Sequence, residues 1–434
     1  MPRRNLLILV LVVLLAVLCR QRVQDKYARV LVGAMAKIES RSLDPVGEGK
    51  LFAGAMSGML SQFDDYSRYL SPKDLAAFNK EIDLRFAGVG IQIAVDPKTK
   101  QLEVLSPVAN SPAAKAGILA GDRILRIGKT NTQGMSLRDA FPLLYGKPGE
   151  AVTLSILHKG ETKPVEVTLV RQIVQVESVL GDTRNPDGSW NYFLDGRDRI
   201  GYVRISCFTD ETARELSQAL AQMTKLGMRG LVLDLRDDPG GYLSAAVAVC
   251  DLFVKHGEIV TTRGRGGHID DRYSASGDAP FTDLPIAVIV NRDTASAAEI
   301  VAACLQDNRR AVVVGEQTYG KGTVQELIDL DPDCGAMKLT TKSYWRPSGK
   351  DIRRPHGAAA KDDWGVSPDD GCKVALTKDE FNRWEVWRNS RDLHQPIPDD
   401  EKDAKPFVDR QRLRAVEHVE KEAANRKGRD PIGK

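Results

Sequence analysis

The sequence predicts a multidomain α/β protein: a helical N-terminal segment, a compact unit of short strands plus two helices, a core with a mainly parallel sheet flanked by helices, and a helical C-terminal tail. Three observations point there. The apolar period changes along the chain, from spacings of three and four, to two, to continuous apolar runs each followed by a helical stretch. The 434 residues are 42% hydrophobic and 28% charged, ordinary for a globular chain, and at roughly 100–200 residues per domain they allow several domains. Continuous apolar strands alternating with helices indicate a parallel sheet covered on both faces. The boundaries fall at 1–22, 23–83, 84–171, 172–376 and 377–434.

In order, Met1-Pro2-Arg3-Arg4-Asn5 precedes an unbroken apolar run from Leu6 to Cys19. As a helix it would reach ~21 Å, short of the ~30 Å hydrocarbon core, which by length alone favours an export signal. No small-residue cleavage pattern follows, however, and arginines on both sides can snorkel. The expectation is an uncleaved membrane anchor with the bulk of the chain outside the cytoplasm, a cleaved export signal being the alternative. Residues 23–83 read as helical, with Tyr27–Ile38 and Leu51–Leu60 split at Gly47-Glu48-Gly49. Residues 84–171 carry short strands at Val89–Ile93, Leu102–Leu105, Arg123–Ile127, Val152–Leu157 and Val165–Leu169, with helical segments after Ser111 and near Ser136–Leu144. From 172 the pattern gives strands Arg199–Ile205, Gly230–Leu235, Ile286–Val290 and Ala311–Val314. The helices between and after them are Thr209–Met223, capped by Thr209 or Asp210, then Tyr242–Phe253 and Ser296–Leu305. The mixed-charge tail holds a helix around Val408–Ala424, expected on the surface.

Sixty-two Lys+Arg against 59 Asp+Glu leave +3, which gives no footprint for nucleic acid. The six cysteines contain no CxxC pair, so neither a zinc site nor a redox pair is expected. Cys250 and Cys304 lie in apolar stretches and read as core. Cys334 and Cys372 lie in polar stretches, and their pairing is left open.

Chemistry concentrates in three segments. Ile286–Val290 runs into Asn291-Arg292-Asp293-Thr294-Ala295-Ser296-Ala297-Ala298-Glu299-Ile300, a strand, a tight turn and a helix start. A serine there sits where unpaired N–H groups favour developing negative charge, although such a serine also serves as a plain cap. Lys321 stands between Gly320 and Gly322, 25 residues on. No histidine has a comparable setting, and a lysine can act as base where desolvation disfavours the ammonium form. Gly315–Lys321 also approaches a P-loop, but Gly322 stands where Ser or Thr is required, and Thr323–Leu330 alternates like a strand. Third, Asp238-Pro239-Gly240-Gly241 follows a parallel strand, and paired glycines let backbone N–H groups approach a ligand closely.

Together these segments resemble the carboxy-terminal processing (tail-specific) proteases, serine peptidases with a Ser–Lys pair and an embedded PDZ domain, from about Asp44 to Asp369. Asp44-Pro45-Val46 and Asp65–Leu70 are similar to the family's N-terminal signature, with Tyr66 where histidine is common. Phe86–Ile91, Asn110–Ile118 and Gly121–Ile124 are similar to its PDZ pattern. Tyr344–Lys350 and Gly365–Asp369 resemble the segments closing its protease core. The resemblance implies Ser296 as nucleophile, Lys321 as general base and Gln325 as the residue assisting the lysine. It implies an oxyanion hole at Gly240, Gly241 and the N–H of Ala297, and peptide binding in the PDZ domain at Gly88, Val89, Gly90 and Ile91. Asp238 replaces the usual asparagine, and Ala298 replaces a second serine. The implied function is an envelope endopeptidase, extracytoplasmic and held to the membrane by its N-terminal segment. Its substrates would be proteins with apolar C-termini, and it would need no cofactor, metal or nucleic acid. An adaptor or self-association stays open, and the alternative function is an inactive PDZ scaffold.

Overall fold

The computed structural model describes residues 26–427 except 83–84, 97–98, 109–110, 120, 176, 186–188, 198, 356, 360–361 and 393–406. The expected anchor at 1–22 lies outside the described residues. Among them, no helix is long and apolar enough to cross a membrane. The chain divides into two compact units, one built from residues up to 75 together with 325–340, the other from 76–324 and 341 onward.

The first unit contains helices α1 (Lys26–Arg41) and α2 (Glu48–Leu60) and strand β1 (Arg68–Leu70). β1 lies antiparallel to Ala336–Lys338, Arg68 opposite Lys338. The Phe52 and Tyr69 rings meet edge to face, and the Tyr69 hydroxyl donates to the Cys334 carbonyl at 2.8 Å. A third helix, α3 (Pro72–Ile82), leads out of this unit.

The second unit opens with β2 (Arg85–Gly88), β3 (Ile91–Val95), β4 (Leu102–Pro107), the helical turn α4 (Pro112–Lys115), β5 (Arg123–Ile127), β6 (Thr130–Asn131), α5 (Leu137–Leu144), β7 (Ala151–Leu157), β8 (Val165–Val170) and β9 (Gln172–Gln175). Ser111 and Ser136 cap the two helices as N-caps, each oxygen accepting an N–H three residues on. The antiparallel sheet runs β3-β4-β5-β7-β8, so β3 is an edge, while β2 pairs with β9. Leu102, Val104, Ile124, Leu154 and Ile156 fill a core under this sheet, separate from the next one.

The remaining elements are β10 (Val179–Leu180), β11 (Thr183–Arg184), β12 (Trp190–Asn191), β13 (Ile200–Ile205), α6 (Thr212–Lys225), β14 (Gly230–Asp234), α7 (Leu243–Asp251), β15 (Glu258–Arg263), β16 (Ile269–Ser274), β17 (Ile286–Val290), α8 (Ala297–Asp307), β18 (Val312–Gly315), β19 (Thr323–Asp329), β20 (Ala336–Trp345), α9 (Lys378–Asp392) and α10 (Arg410–Lys427). The central sheet has order β10-β13-β14-β17-β18. Its last four strands are parallel, and only β10 runs antiparallel. β14 and β17 are buried at every position, as continuous apolar runs require of strands covered on both faces. Helices α6, α7 and α8 pack on one face through Leu216, Leu220, Val249 and Val301.

The other face departs from expectation. α10 is no surface helix: Ala415, Val416 and Val419 pack against Tyr202, Val232, Ala287 and Ile289 of the central sheet. Cys372 is buried in that same layer rather than in a polar loop, and Cys334 and Cys372 are both free thiols. Helix α6 begins at Thr212 with Glu211 as its N-cap residue, because the Thr212 hydroxyl accepts the Thr209 N–H and holds 209–211 outside the helix.

Candidate active site

Ser296 stands at the turn between β17 and α8, and the turn is built in detail. Asn291 Oδ1 accepts the N–H groups of Asp293 and Thr294, and the Thr294 hydroxyl donates to the Leu235 carbonyl at 2.8 Å. Ser296 itself has φ 57° and ψ −117°, a backbone conformation costly for a residue with a Cβ. Such strain persists only where the surroundings over-determine it. Here the Ser296 N–H donates to Glu299 Oε2 at 2.9 Å and the Ala295 N–H to the Asp238 carbonyl at 2.9 Å.

The loop bearing Lys321 is tied to the same turn. The Tyr319 N–H donates to the Thr294 carbonyl at 3.0 Å. Gly320 N–H donates to Glu299 Oε1 at 2.7 Å and Lys321 N–H to Glu299 Oε2 at 2.8 Å. One carboxylate oxygen thus receives the backbone of both Ser296 and Lys321, and it brings the two together. The flanking glycines are required by contact: a Cβ on Gly322 would lie 2.2 Å from the Arg353 nitrogen, and one on Gly320 2.5 Å from the Trp364 ring. Lys321 is half-buried. The segment after it is strand β19, not a helix, so no phosphate loop exists here.

The glycine loop closes the site. A Cβ on Gly240, whose φ is +93°, would fall 2.7 Å from the Ser296 Cβ and 2.8 Å from the Ala297 nitrogen. The loop therefore lies directly against the serine. Its path is held by Phe208, whose N–H donates to the Gly240 carbonyl and whose carbonyl accepts from Tyr242. The Gly240 N–H donates to Asp238 Oδ1 at 2.8 Å. Gly241 and Ala297 N–H meet no acceptor among the described residues. Asp238 is fully buried with Oδ2 unpartnered, and burial pushes its carboxyl well above the usual range.

In the small antiparallel unit, Gly88, Val89 and Gly90 are buried and Ile91 begins the edge strand β3. The Val89 carbonyl accepts from Ala113 N–H, and the Gly90 carbonyl from Val108 N–H and the Ser111 hydroxyl. Gly90 (φ +74°) has no room for a Cβ, which would lie 2.2 Å from Ser111 Cβ. Gln325, on β19, donates through Nε2 to Thr340 Oγ1 at 3.2 Å and belongs with residues 325–340 of the first unit.

Residues 199–370 match the model of peptidase family S41, and 103–157 that of the PDZ domain. The chain is 38% identical over 308 residues to the carboxy-terminal-processing protease of Bartonella bacilliformis, covering 70% of this chain and 67% of that one. It is 36% identical over 325 residues to the carboxyl-terminal-processing protease of Synechocystis, covering 74% and 71%. The chain belongs to the carboxy-terminal processing proteases. It is a serine-type peptidase of family S41 that carries a PDZ domain. Among solved structures it is 31% identical to the photosystem II D1 C-terminal processing protease, with a TM-score of 0.45, covering 80% of this chain and 86% of that one.

Glu299 carries no catalytic signal in the sequence of this protease. Its side chain is fully buried, and it accepts from the Thr318 hydroxyl at 2.5 Å as well as from the N–H groups of Ser296, Gly320 and Lys321. Burial pushes its carboxyl up to about 7, against the pull of those four donors. The signal was present in Ser296-x-x-Glu299, a capping-box spacing, but that spacing predicts a helix start and nothing more. Gly365 seals the group: a Cβ there would lie 2.4 Å from the Thr318 hydroxyl and 2.8 Å from Glu299 Oε1. Of the described histidines, His158 pairs with Asp122 and His268 with Asp270. His418 lies on α10.

Proposed function

We propose that this carboxy-terminal processing protease is an endopeptidase of the cell envelope that recognises the C-terminal residues of its protein substrates through the PDZ domain and cleaves with Ser296 and Lys321. A substrate C-terminus would add as a strand to the open edge of β3, its carboxylate cradled by the Gly88–Ile91 loop. Ser296 Oγ then attacks the scissile carbonyl carbon, and its proton passes to Lys321 Nζ. The carbonyl oxygen becomes an oxyanion received by the N–H groups of Gly241 and Ala297, with Gly240 giving the close approach. Collapse breaks the C–N bond, and Lys321 returns the proton to the leaving amine. Water then attacks the acyl-enzyme, giving a proton to Lys321; the ester bond breaks, Lys321 returns that proton to Ser296 Oγ, and the new carboxylate leaves, its remaining proton lost to solvent. Gln325 is assigned to assist Lys321 on the family resemblance. The apolar run at 6–19 between arginines supports the envelope location.

The observation that carries this reading is the shared acceptor Glu299, which takes the backbone N–H of both Ser296 and Lys321 and so brings the two residues together. The test is cleavage of an unfolded protein with an apolar C-terminus by the full chain. Ser296→Ala and Lys321→Ala are each expected to abolish turnover while leaving the unfolding transition unchanged, since nucleophile and base act as a unit. Near-native turnover by Lys321→Ala would overturn the dyad.

A further inference from the structure

We propose that the C-terminal helix is a working part of the catalytic site: Asp409, acting through Arg236, sets the position of the loop that carries Gly240 and Gly241. This rests on the reading of that loop as the oxyanion hole.

Arg236 is the residue where β14 leaves the sheet and turns toward the loop, and its side chain is 1% exposed. Every nitrogen of its guanidinium has an acceptor. Nε donates to Asp234 Oδ1 at 3.0 Å, Nη1 to Asp409 Oδ1 at 3.1 Å and to Gln411 Oε1 at 3.0 Å, and Nη2 to Asp234 Oδ2 at 2.5 Å and Asp409 Oδ2 at 2.8 Å. The contact with Asp409 is bidentate, the arrangement that fixes a guanidinium in both position and plane. The Trp384 ring covers its face, 4.5 Å from the guanidinium carbon. Asp409 has no exposed side-chain surface, and it also caps α10, its Oδ1 accepting the Arg412 N–H at 3.0 Å. Gln411 is tied back to the Val374 carbonyl at 2.8 Å.

From Arg236 the chain passes at once into the site. The Asp237 N–H donates to Asn291 Oδ1, the Asp238 carbonyl receives the Ala295 N–H, and Gly240 lies against Ser296. One residue, Asp237, separates the side chain clamped by the tail from the carbonyl that holds the serine turn. Docking of α10 does not account for this pair, because Ala415, Val416 and Val419 already provide an apolar interface with the sheet. A buried ion pair adds little net stability over apolar packing, whereas removing one partner leaves the other uncompensated. What the pair supplies is a fixed distance between the tail and the start of the loop, and misplacing an oxyanion donor by about 1 Å costs about a hundredfold in rate.

The experiment compares full-length native enzyme with Asp409→Asn, Asp409→Glu and Gln411→Ala. It uses a peptide substrate with an apolar C-terminus, and kcat is counted per Ser296 reactive toward a fluorophosphonate. Asp409→Asn is expected to lower kcat about ten- to hundredfold with KM and the affinity for an uncleavable peptide within about twofold of native. Asp409→Glu, which keeps the carboxylate, is expected to recover most of the rate. Gln411→Ala removes one neutral acceptor and serves if Asp409→Asn does not fold; its expected loss is about two- to fivefold, again in kcat alone. A folded Asp409→Asn or Gln411→Ala enzyme with native kcat overturns the proposal, and so does a loss confined to KM. Undiminished cleavage by Ser296→Ala would mark a failure of the functional reading itself rather than of this coupling.

Discussion

Glu299 shows how one buried carboxyl can hold the backbones of both members of the proposed dyad and make their work depend on pH. Four donors point at it, so the ionised form suits the site, while burial moves its pKa from 4.5 up to about 7. As pH falls through about 7, the carboxyl gains a proton where only donors face it, and kcat is expected to fall. In Glu299→Gln, whose amide turns N–H groups toward those donors, kcat should be about a hundredfold lower at pH 8, and the acid limb near 7 should be gone from the pH–rate profile. Stability runs the other way. A folded pKa above the unfolded one means the native state holds the proton more tightly, so this group's contribution is full below pH 4.5 and lost as pH rises through about 7. The loss is roughly 3 kcal/mol, read as the difference in urea unfolding at pH 5 and 8 between native enzyme and Glu299→Gln. Asp238 makes a second residue-scale prediction. Burial favours its neutral form and it accepts from Gly240 N–H, so Asp238→Ala should lower kcat about tenfold, whereas Asp238→Asn should restore most of that. Asn as damaging as Ala would mean that a negative charge is required at 238.

At the scale of elements, the open edge of β3 and the loop before it set the expected mode of substrate capture. A peptide acid with an apolar C-terminus is expected to bind at least about tenfold more tightly than its C-terminal amide, because backbone N–H groups cradle an anion. Fluorescence anisotropy with the Ser296→Ala enzyme measures this, and equal affinities would remove the carboxylate from recognition. The elements themselves were unequally legible. Ile286–Val290 and Arg123–Ile127 both occur as expected, the first because a run buried on both faces carries a strong signal. β16 and β20 are not legible in the sequence because their partly exposed faces mix charges into the pattern, as in Ile269-Asp270-Asp271-Arg272. In the site, Ser296 and Lys321 stood out through the small residues and glycines around them. Glu299 did not, because its partners at 318–321 are adjacent only in the folded chain.

For the whole molecule, the C-terminal helix changes what counts as the core. The charges of Arg410–Lys427 made it read as a surface element, since its buried apolar positions are few and small: Ala415, Val416, Val419 and Ala423. Yet Val419 meets β14 so closely that a Cβ on Gly230 would lie 2.1 Å from its Cγ1. Val419→Ala is therefore expected to destabilise the protein by about 2 kcal/mol in urea unfolding, where a surface helix would give a change near zero. Sheet, serine turn, glycine loop and tail form one connected scaffold around Ser296.

The central claim is that Ser296 is the nucleophile and Lys321 its base. The most direct measurement is labelling of the full chain with a fluorophosphonate, followed by mass-spectrometric mapping of the modified residue. Modification of Ser296 alone is expected, slowed at least about a hundredfold in Lys321→Ala and unaffected by changing the histidines to glutamine. Modification of a different serine, or native labelling of Ser296 in Lys321→Ala, would contradict it.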